Sequence, residues 1–322
     1  MTIKSLQQIE DNLFFIVGCG RSGTTLFRII LNAHSGVFVP PETFFFNEIA
    51  NGFVGINSSS EKKISKLLSK WWVRDMKVER NEILKLLDPH QASWRNVFLA
   101  FMGSLSSGSG ATMFGEKTPG HIRYSQQLLD EYPKCKIIIL VRDPRASFAS
   151  FRSANVGTGQ ISTFSKTWSY AATIAKNLEN NPRCMRVHFE KLITNTEDVM
   201  GSVCEFLDLS FDDSMMNYHS RTDPDYSPEQ THHKNTQKPI FTSGLTKWKS
   251  QLTNNQIGLL EYTLADQMAA MGYELEGNSV SFPRFRLLYS LFVDKLSKVF
   301  ILKPRQILRK HRASLRQSQD KL

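Results

Sequence analysis

The chain has 322 residues, 41% of them hydrophobic and 22% charged, an ordinary globular composition with room for one large α/β domain or two modest ones. Its formal charge of +10 sits mostly at one end: residues 280–322 carry eleven Lys or Arg against Asp294 and Asp320, so the rest is nearly neutral. A neutral body without a basic, aromatic-studded face argues against general nucleic-acid binding, and four scattered cysteines (Cys19, Cys135, Cys184, Cys204) without a CxxC pair argue against a disulfide framework or zinc site.

Leu13–Val17 is a short apolar run ending in glycines and reads as a buried parallel strand. It is too short for a signal-peptide core or a membrane span, and polar residues precede it, so a reducing cytoplasm is the expected compartment. Thr25–Ala33 predicts the first helix. Lys136–Val141 is a second strong strand and leads into Asp143-Pro144, a good helix start. Met185–Phe189 is a third, with weaker strands at Val37–Val39 and Thr112–Phe114. Helical patterns fill 60–72, 79–87, 91–105, 160–180, 195–207 and 253–271. Strands alternating with helices predict a three-layer α/β fold, a central parallel sheet flanked by helices, with ligands at the carboxyl ends of the strands. Residues 217–246 carry four X-Pro or His-His pairs and little periodicity, which predicts a long ordered loop or lid. No linker divides the body, so a single domain is expected over 1–280, followed by a basic amphipathic C-terminal helix and tail over 281–322.

Between the first strand and first helix lies Gly18-Cys-Gly-Arg-Ser-Gly-Thr-Thr25. Glycines let successive amides converge on an anion, the helix N-terminus adds the positive end of its dipole, and Thr24 and Thr25 offer hydroxyls. The Gly18-x4-Gly23 spacing is that of a nucleotide phosphate loop, but Thr24 stands where a lysine normally reaches the β- and γ-phosphates. That loss argues against an ordinary ATPase.

The segment Phe15–His34 resembles the 5'-phosphosulfate loop and first helix of sulfotransferases that use 3'-phosphoadenosine 5'-phosphosulfate (PAPS), nearest the tyrosylprotein and bacterial branch. The resemblance implies a P-loop-like fold, PAPS as co-substrate, a hydroxyl acceptor and no required metal. Carried over by position, Arg21, Ser22, Gly23, Thr24 and Thr25 would hold the 5'-phosphosulfate. Ile137–Ser150 resembles the 3'-phosphate motif, with Arg142 and Ser150 at the matching positions; an arginine just past a strand can grip phosphate bidentately. Ser243–Trp248 resembles the closing loop, where Lys247 would reach a phosphate. Ala154 stands where the tyrosylprotein branch has a further arginine, leaving Arg152 as a substitute, and Phe189 stands where tyrosine is common.

Sulfuryl transfer needs a deprotonated acceptor oxygen in line with sulfur and positive charge at the departing phosphate oxygen. By position, Glu42 in Pro40-Pro41-Glu42-Thr43 matches the family's general base, and Lys117 in Gly115-Glu-Lys-Thr-Pro119 matches the lysine that stabilises the bridging oxygen, with Arg21 sharing that role. Phe44 replaces an arginine of the tyrosylprotein branch's acceptor site, which points away from an acidic tyrosine peptide. His232 and His233 read as loop residues, not metal ligands.

Phe285, Leu288, Tyr289, Phe292, Leu296, Val299 and Phe300 recur at helical spacing among basic residues. Two readings stand: a helix docked on the core, or a membrane-surface helix that brings the enzyme to a lipid-linked acceptor. Acceptor identity and oligomeric state stay open. The rival functions are a P-loop small-molecule kinase, which the missing lysine opposes, and a non-catalytic nucleotide- or glycan-binding scaffold.

Overall fold

The structure, a computed structural model, describes residues 5–49, 76, 78, 80–87, 93–154, 160–220 and 238–277. Its elements run α1 (Leu6–Asp11), β1 (Leu13–Gly18), α2 (Thr24–Asn32), β2 (Val37–Phe38), α3 (Phe45–Ile49), α4 (Arg80–Leu86), α5 (Trp94–Leu105) and β3 (Met113–Lys117). A 3-10 turn, Pro119–Tyr124, then leads to α6 (Ser125–Glu131), β4 (Lys136–Val141), α7 (Pro144–Ser153), α8 (Ile161–Asn177) and β5 (Cys184–His188). After these come α9 (Phe189–Thr194), α10 (Thr196–Phe206), α11 (Trp248–Gln251) and α12 (Asn254–Ala270). The chain divides into two compact units, Met1–Arg142 with Ile174–Thr242, and Asp143–Thr173 with Ser243–Leu322.

The first unit holds a five-stranded sheet in the order β2-β3-β1-β4-β5, and every pairing is parallel. β1 and β3 are buried along their whole length and β4 from Ile137 onward, as strands covered on both faces must be. Side chains alternate between the faces. Phe14 and Ile16 enter one layer with Phe27, Ile30 and Leu31 of α2 and Met200 and Val203 of α10. Phe15 enters the other, an aromatic cluster in which it stacks on Phe98 at 5.9 Å and meets Phe46 edge-on at 5.9 Å. Fully burying each such ring contributes about 1.5–3 kcal/mol. Phe45 and Phe46 therefore serve the core, and of the Phe44–Phe46 run only Phe44 is left partly exposed.

Three boundaries differ from the sequence expectation. The weak strand expected at 112–114 runs to Lys117, because Gly115 fits where a Cβ would lie 2.4 Å from the Phe14 ring and Glu116 finds buried partners. Phe189 opens α9 instead of closing β5. A 3-10 turn at Asp213–Ser220 runs into the start of the lid expected over 217–246, and Thr242–Gly244 forms another within it. The expected helix over 60–72, the His232-His233 pair and the tail over 281–322 lie outside the described residues.

In the second unit Phe164 of α8 packs on Phe148 and Phe151 of α7, with ring centroids at 5.3 and 5.9 Å. Arg145 is 5% exposed. It donates to Asp143 Oδ2 at 2.8 Å and Glu261 Oε1 at 2.6 Å, with its guanidinium 4.3 Å from the Trp248 ring. Burial alone would lower its pKa, and the two carboxylates outweigh that and raise it. Arg145→Met is expected to strand both buried carboxylates and cost about 3–5 kcal/mol. Urea unfolding checks this, and the loss should shrink at acidic pH as the carboxylates protonate.

Candidate active site

Sheet order and register bring three loops to one edge. β1 lies between β3 and β4, with Ile16 opposite Lys117 and Gly18 opposite Leu140, so Gly18, Lys117 and Val141 all end their strands there. This is the carboxyl edge, where ligands of open parallel sheets bind.

The phosphate loop occupies residues 19–23. A Cβ on Gly18 would stand 2.4 Å from Leu140 O, so only glycine lets β1 and β4 pair this closely at the turn. Gly23 has φ 92°, and a Cβ there would strike the Phe189 ring at 2.2 Å. Arg21 also takes a left-handed backbone, φ 70°, at a cost of about 1–2 kcal/mol for a residue with a Cβ. Gly23 caps α2 without a side-chain hydrogen bond, so no capping side chain claims the first-turn amides. Ser22 Oγ is buried and has no hydrogen-bond partner among the described residues. An orphan buried hydroxyl costs about 1–3 kcal/mol. Beside an uncapped helix start it fits a bound anion. Thr24 is buried and Thr25 half-buried in the first turn of α2.

Glu42 and Lys117 meet although 75 residues separate them: Lys117 Nζ donates to Glu42 Oε1 at 2.7 Å. The lysine side chain is 4% exposed and the carboxylate 32%, so the ammonium is sequestered while the carboxylate still faces solvent. Burial lowers the Lys117 pKa, with Glu42 opposing and Arg28 adding to the fall. Burial likewise lowers Arg21, partly offset by Glu42. Arg21 and Lys117 thus both act on the Glu42 carboxylate, with Arg28 close enough to Lys117 to repel it.

Arg142 follows β4 directly. Its Nη1 donates to Arg21 O at 3.2 Å, and its guanidinium lies 4.3 Å from the Phe189 ring centroid. Phe189 therefore supports both Gly23 and Arg142, a packing role that the sequence reading did not assign to it. The first unit brings together Arg21, Ser22, Gly23, Thr24, Thr25, Glu42, Lys117 and Arg142. Ser150 and Lys247 belong to the second unit: Ser150 is half-buried on α7, and Lys247 is exposed immediately before α11. Arg152 bonds Gln256 Oε1 at 3.1 Å, within the capping box of α12.

Sequence reasoning missed how the Glu42 turn is held. Asn32 of α2 accepts from Val39 N and donates to Val39 O, both at 2.7 Å, imitating a neighbouring strand, and Arg28 adds a weak bond to the same carbonyl. It also missed Glu116, because the strand expected from sequence stopped at Phe114, short of it.

A family model described as the sulfotransferase family matches residues 14–213. The chain belongs to the sulfotransferase family. Its activity is PAPS-dependent sulfuryl transfer. The sulfotransferase is 26% identical over 276 residues to protein-tyrosine sulfotransferase A of Caenorhabditis elegans, covering 82% of this chain and 68% of the relative. It is 24% identical over 293 residues to a putative protein-tyrosine sulfotransferase of Caenorhabditis briggsae, covering 88% and 94%. In fold it matches the sulfotransferase domain of the Synechococcus PCC 7002 olefin synthase, with TM-score 0.57 and 20% identity over 82% of this chain and 95% of that one. The sulfotransferase domain of the curacin biosynthetic pathway is similar at TM-score 0.58 and 18% identity, covering 81% and 98%.

Proposed function

We propose that the 5'-phosphosulfate of PAPS lies in the Gly18–Thr25 loop, that Glu42 is the general base and that Lys117 with Arg21 holds the charge of the leaving phosphate. The observation that carries this reading is the 2.7 Å Lys117–Glu42 pair at the strand edge that also bears the loop. PAPS supplies an activated sulfuryl group whose sulfur–oxygen bond to the 5'-phosphate breaks as a new one forms to the acceptor oxygen. Glu42 takes the acceptor proton. An acceptor hydroxyl that hydrogen-bonds Glu42 competes with Lys117 for it and frees the ammonium for the oxygen that bridges phosphorus and sulfur. The buried lysine is poorly hydrated, which strengthens its pull on developing negative charge. Arg142, Ser150 and Lys247 are assigned to the remaining phosphate contacts on their sequence motifs; in support, Arg142 adjoins the loop through Arg21 O.

The acceptor is a hydroxyl compound. The relatives' names make a peptide tyrosine the first to test, while Phe44 favours a less acidic partner such as a glycan, a lipid-linked sugar or a small alcohol. The test is transfer of labelled sulfonate from PAPS to tyrosine peptides, oligosaccharides, glycolipid vesicles and small alcohols. Label on one class identifies the acceptor; release of adenosine 3',5'-bisphosphate with none of them would contradict the acceptor assignment. The basic tail is proposed to meet anionic membranes, and equal vesicle binding by the intact chain and a version ending at Gly277 would refute that. Four free thiols support a reducing, cytoplasmic setting; secretion of active enzyme would oppose it.

A further inference from the structure

Glu116 is 0% exposed, yet its carboxylate gathers three polar side chains. Thr43 Oγ1 donates to Oε1 at 2.7 Å, Thr118 Oγ1 donates to the same oxygen at 2.6 Å, and His121 Nδ1 lies 2.8 Å from Oε2. Thr43, Thr118 and His121 are themselves buried, at 0%, 2% and 0% exposure. Burial by itself would raise the Glu116 pKa. The charge and hydrogen bond of His121 and the two hydroxyl bonds outweigh it, so the carboxylate stays ionised and accepts from all three. His121 Nε2 is buried with no hydrogen-bond partner among the described residues, while Nδ1 of the same ring faces Glu116.

The two threonines have particular neighbours. Thr43 follows Glu42, and Thr118 follows Lys117. Each hydroxyl, its proton committed to Glu116, turns a lone pair to a backbone amide at the start of α3: Phe45 N donates to Thr43 Oγ1 at 3.3 Å and Phe44 N to Thr118 Oγ1 at 3.2 Å. Phe44 is held there at φ 49°, a conformation that a side chain resists. On β3, Glu116 and Lys117 point to opposite faces. One carboxylate behind the sheet thus ties together the chain segments that bear Glu42 and Lys117 in front of it.

We propose that Glu116 is a positioning residue for sulfuryl transfer, fixing Glu42 through Thr43 and Lys117 through Thr118. The inference rests on the roles given above to Glu42 and Lys117. A purely structural role for the cluster would lower stability without singling out turnover; a positioning role lowers kcat through those two groups.

The test is a pair of mutant cycles on the full chain, with kcat, the KM for PAPS and the melting temperature measured together. Thr43→Val removes one hydroxyl at nearly constant size and is expected to lower kcat about ten- to hundredfold, because small displacements of reacting groups cost that much. The KM for PAPS should change less than about twofold, since the phosphate loop is untouched, and Thr43→Ser should restore turnover. Added to Glu42→Gln, Thr43→Val should have no further effect, since the base it positions is gone. Thr118→Val should behave in the same way against Lys117→Ala. Wild-type kcat in both valine variants, or effects that multiply in both double variants, would overturn the proposal. Wild-type turnover by Glu42→Gln would refute the base assignment separately, and the Thr118–Lys117 cycle would still decide whether Glu116 positions. Should one valine variant fail to fold, the cycle at the other threonine decides.

Discussion

Replacing Lys117 with alanine is expected to lower kcat by about 10²- to 10³-fold, the usual effect of deleting one preorganised donor to transition-state charge. The ground-state nucleotide loses less, because its phosphate contacts are proposed in the Gly18–Thr25 loop and at Arg142, so affinity for adenosine 3',5'-bisphosphate should stay near the wild-type value. Two features make the effect large. The ammonium is nearly excluded from water, at 4% exposure, so water cannot replace its charge cheaply. The substitution also leaves Glu42 without its 2.7 Å partner, between Arg21 and solvent. Rapid-quench measurement of the chemical step, with calorimetric binding of the bisphosphate, separates the two quantities. Equal turnover by the variant would remove Lys117 from the mechanism.

The second large effect is expected at Glu42. Glu42→Gln keeps the shape of the side chain and its hydrogen bond from Lys117 but cannot accept a proton. A fall in kcat of about 10²- to 10⁴-fold is the range for losing general base catalysis. The deficit should narrow for acceptors that ionise more readily, since a hydroxyl already deprotonated needs no base. Comparing acceptors of graded acidity with wild type and variant checks this. A constant ratio along the series would mean that Glu42 orients the acceptor and does not take its proton.

Much of the site was legible in sequence because its loops follow strong strands. Leu13–Gly18 and Lys136–Val141 are apolar enough to read as buried strands, and the residues just after such strands fall at the carboxyl edge. That placed Arg21 and Arg142 before any coordinates. Glu42 and Lys117 were legible only through motif resemblance, since a proline-flanked carboxylate and a turn lysine carry no periodicity of their own.

The less legible residues are those whose work is done by long-range contact. Glu116 lay beyond the strand expected at 112–114, and only the fold shows Thr43, 73 residues away, bonded to it. Phe189 read as the end of a strand because its aromatic ring suits β structure; the ring instead packs against Gly23 and under Arg142. Arg145 drew no reading from sequence, because Glu261, which completes its cluster, lies 116 residues away.

The most direct test of the central claim is the melting temperature of the purified protein with adenosine 3',5'-bisphosphate, compared with ADP and with ATP and magnesium. A ligand that binds only the folded state at a hundred times its Kd adds about 2.7 kcal/mol, enough to move the transition clearly. The account predicts a rise with the bisphosphate that neither ADP nor ATP–magnesium matches, because the loop lacks the triphosphate lysine and Arg142 is assigned to the 3'-phosphate. A rise with ATP–magnesium alone, or none with any nucleotide, would contradict it.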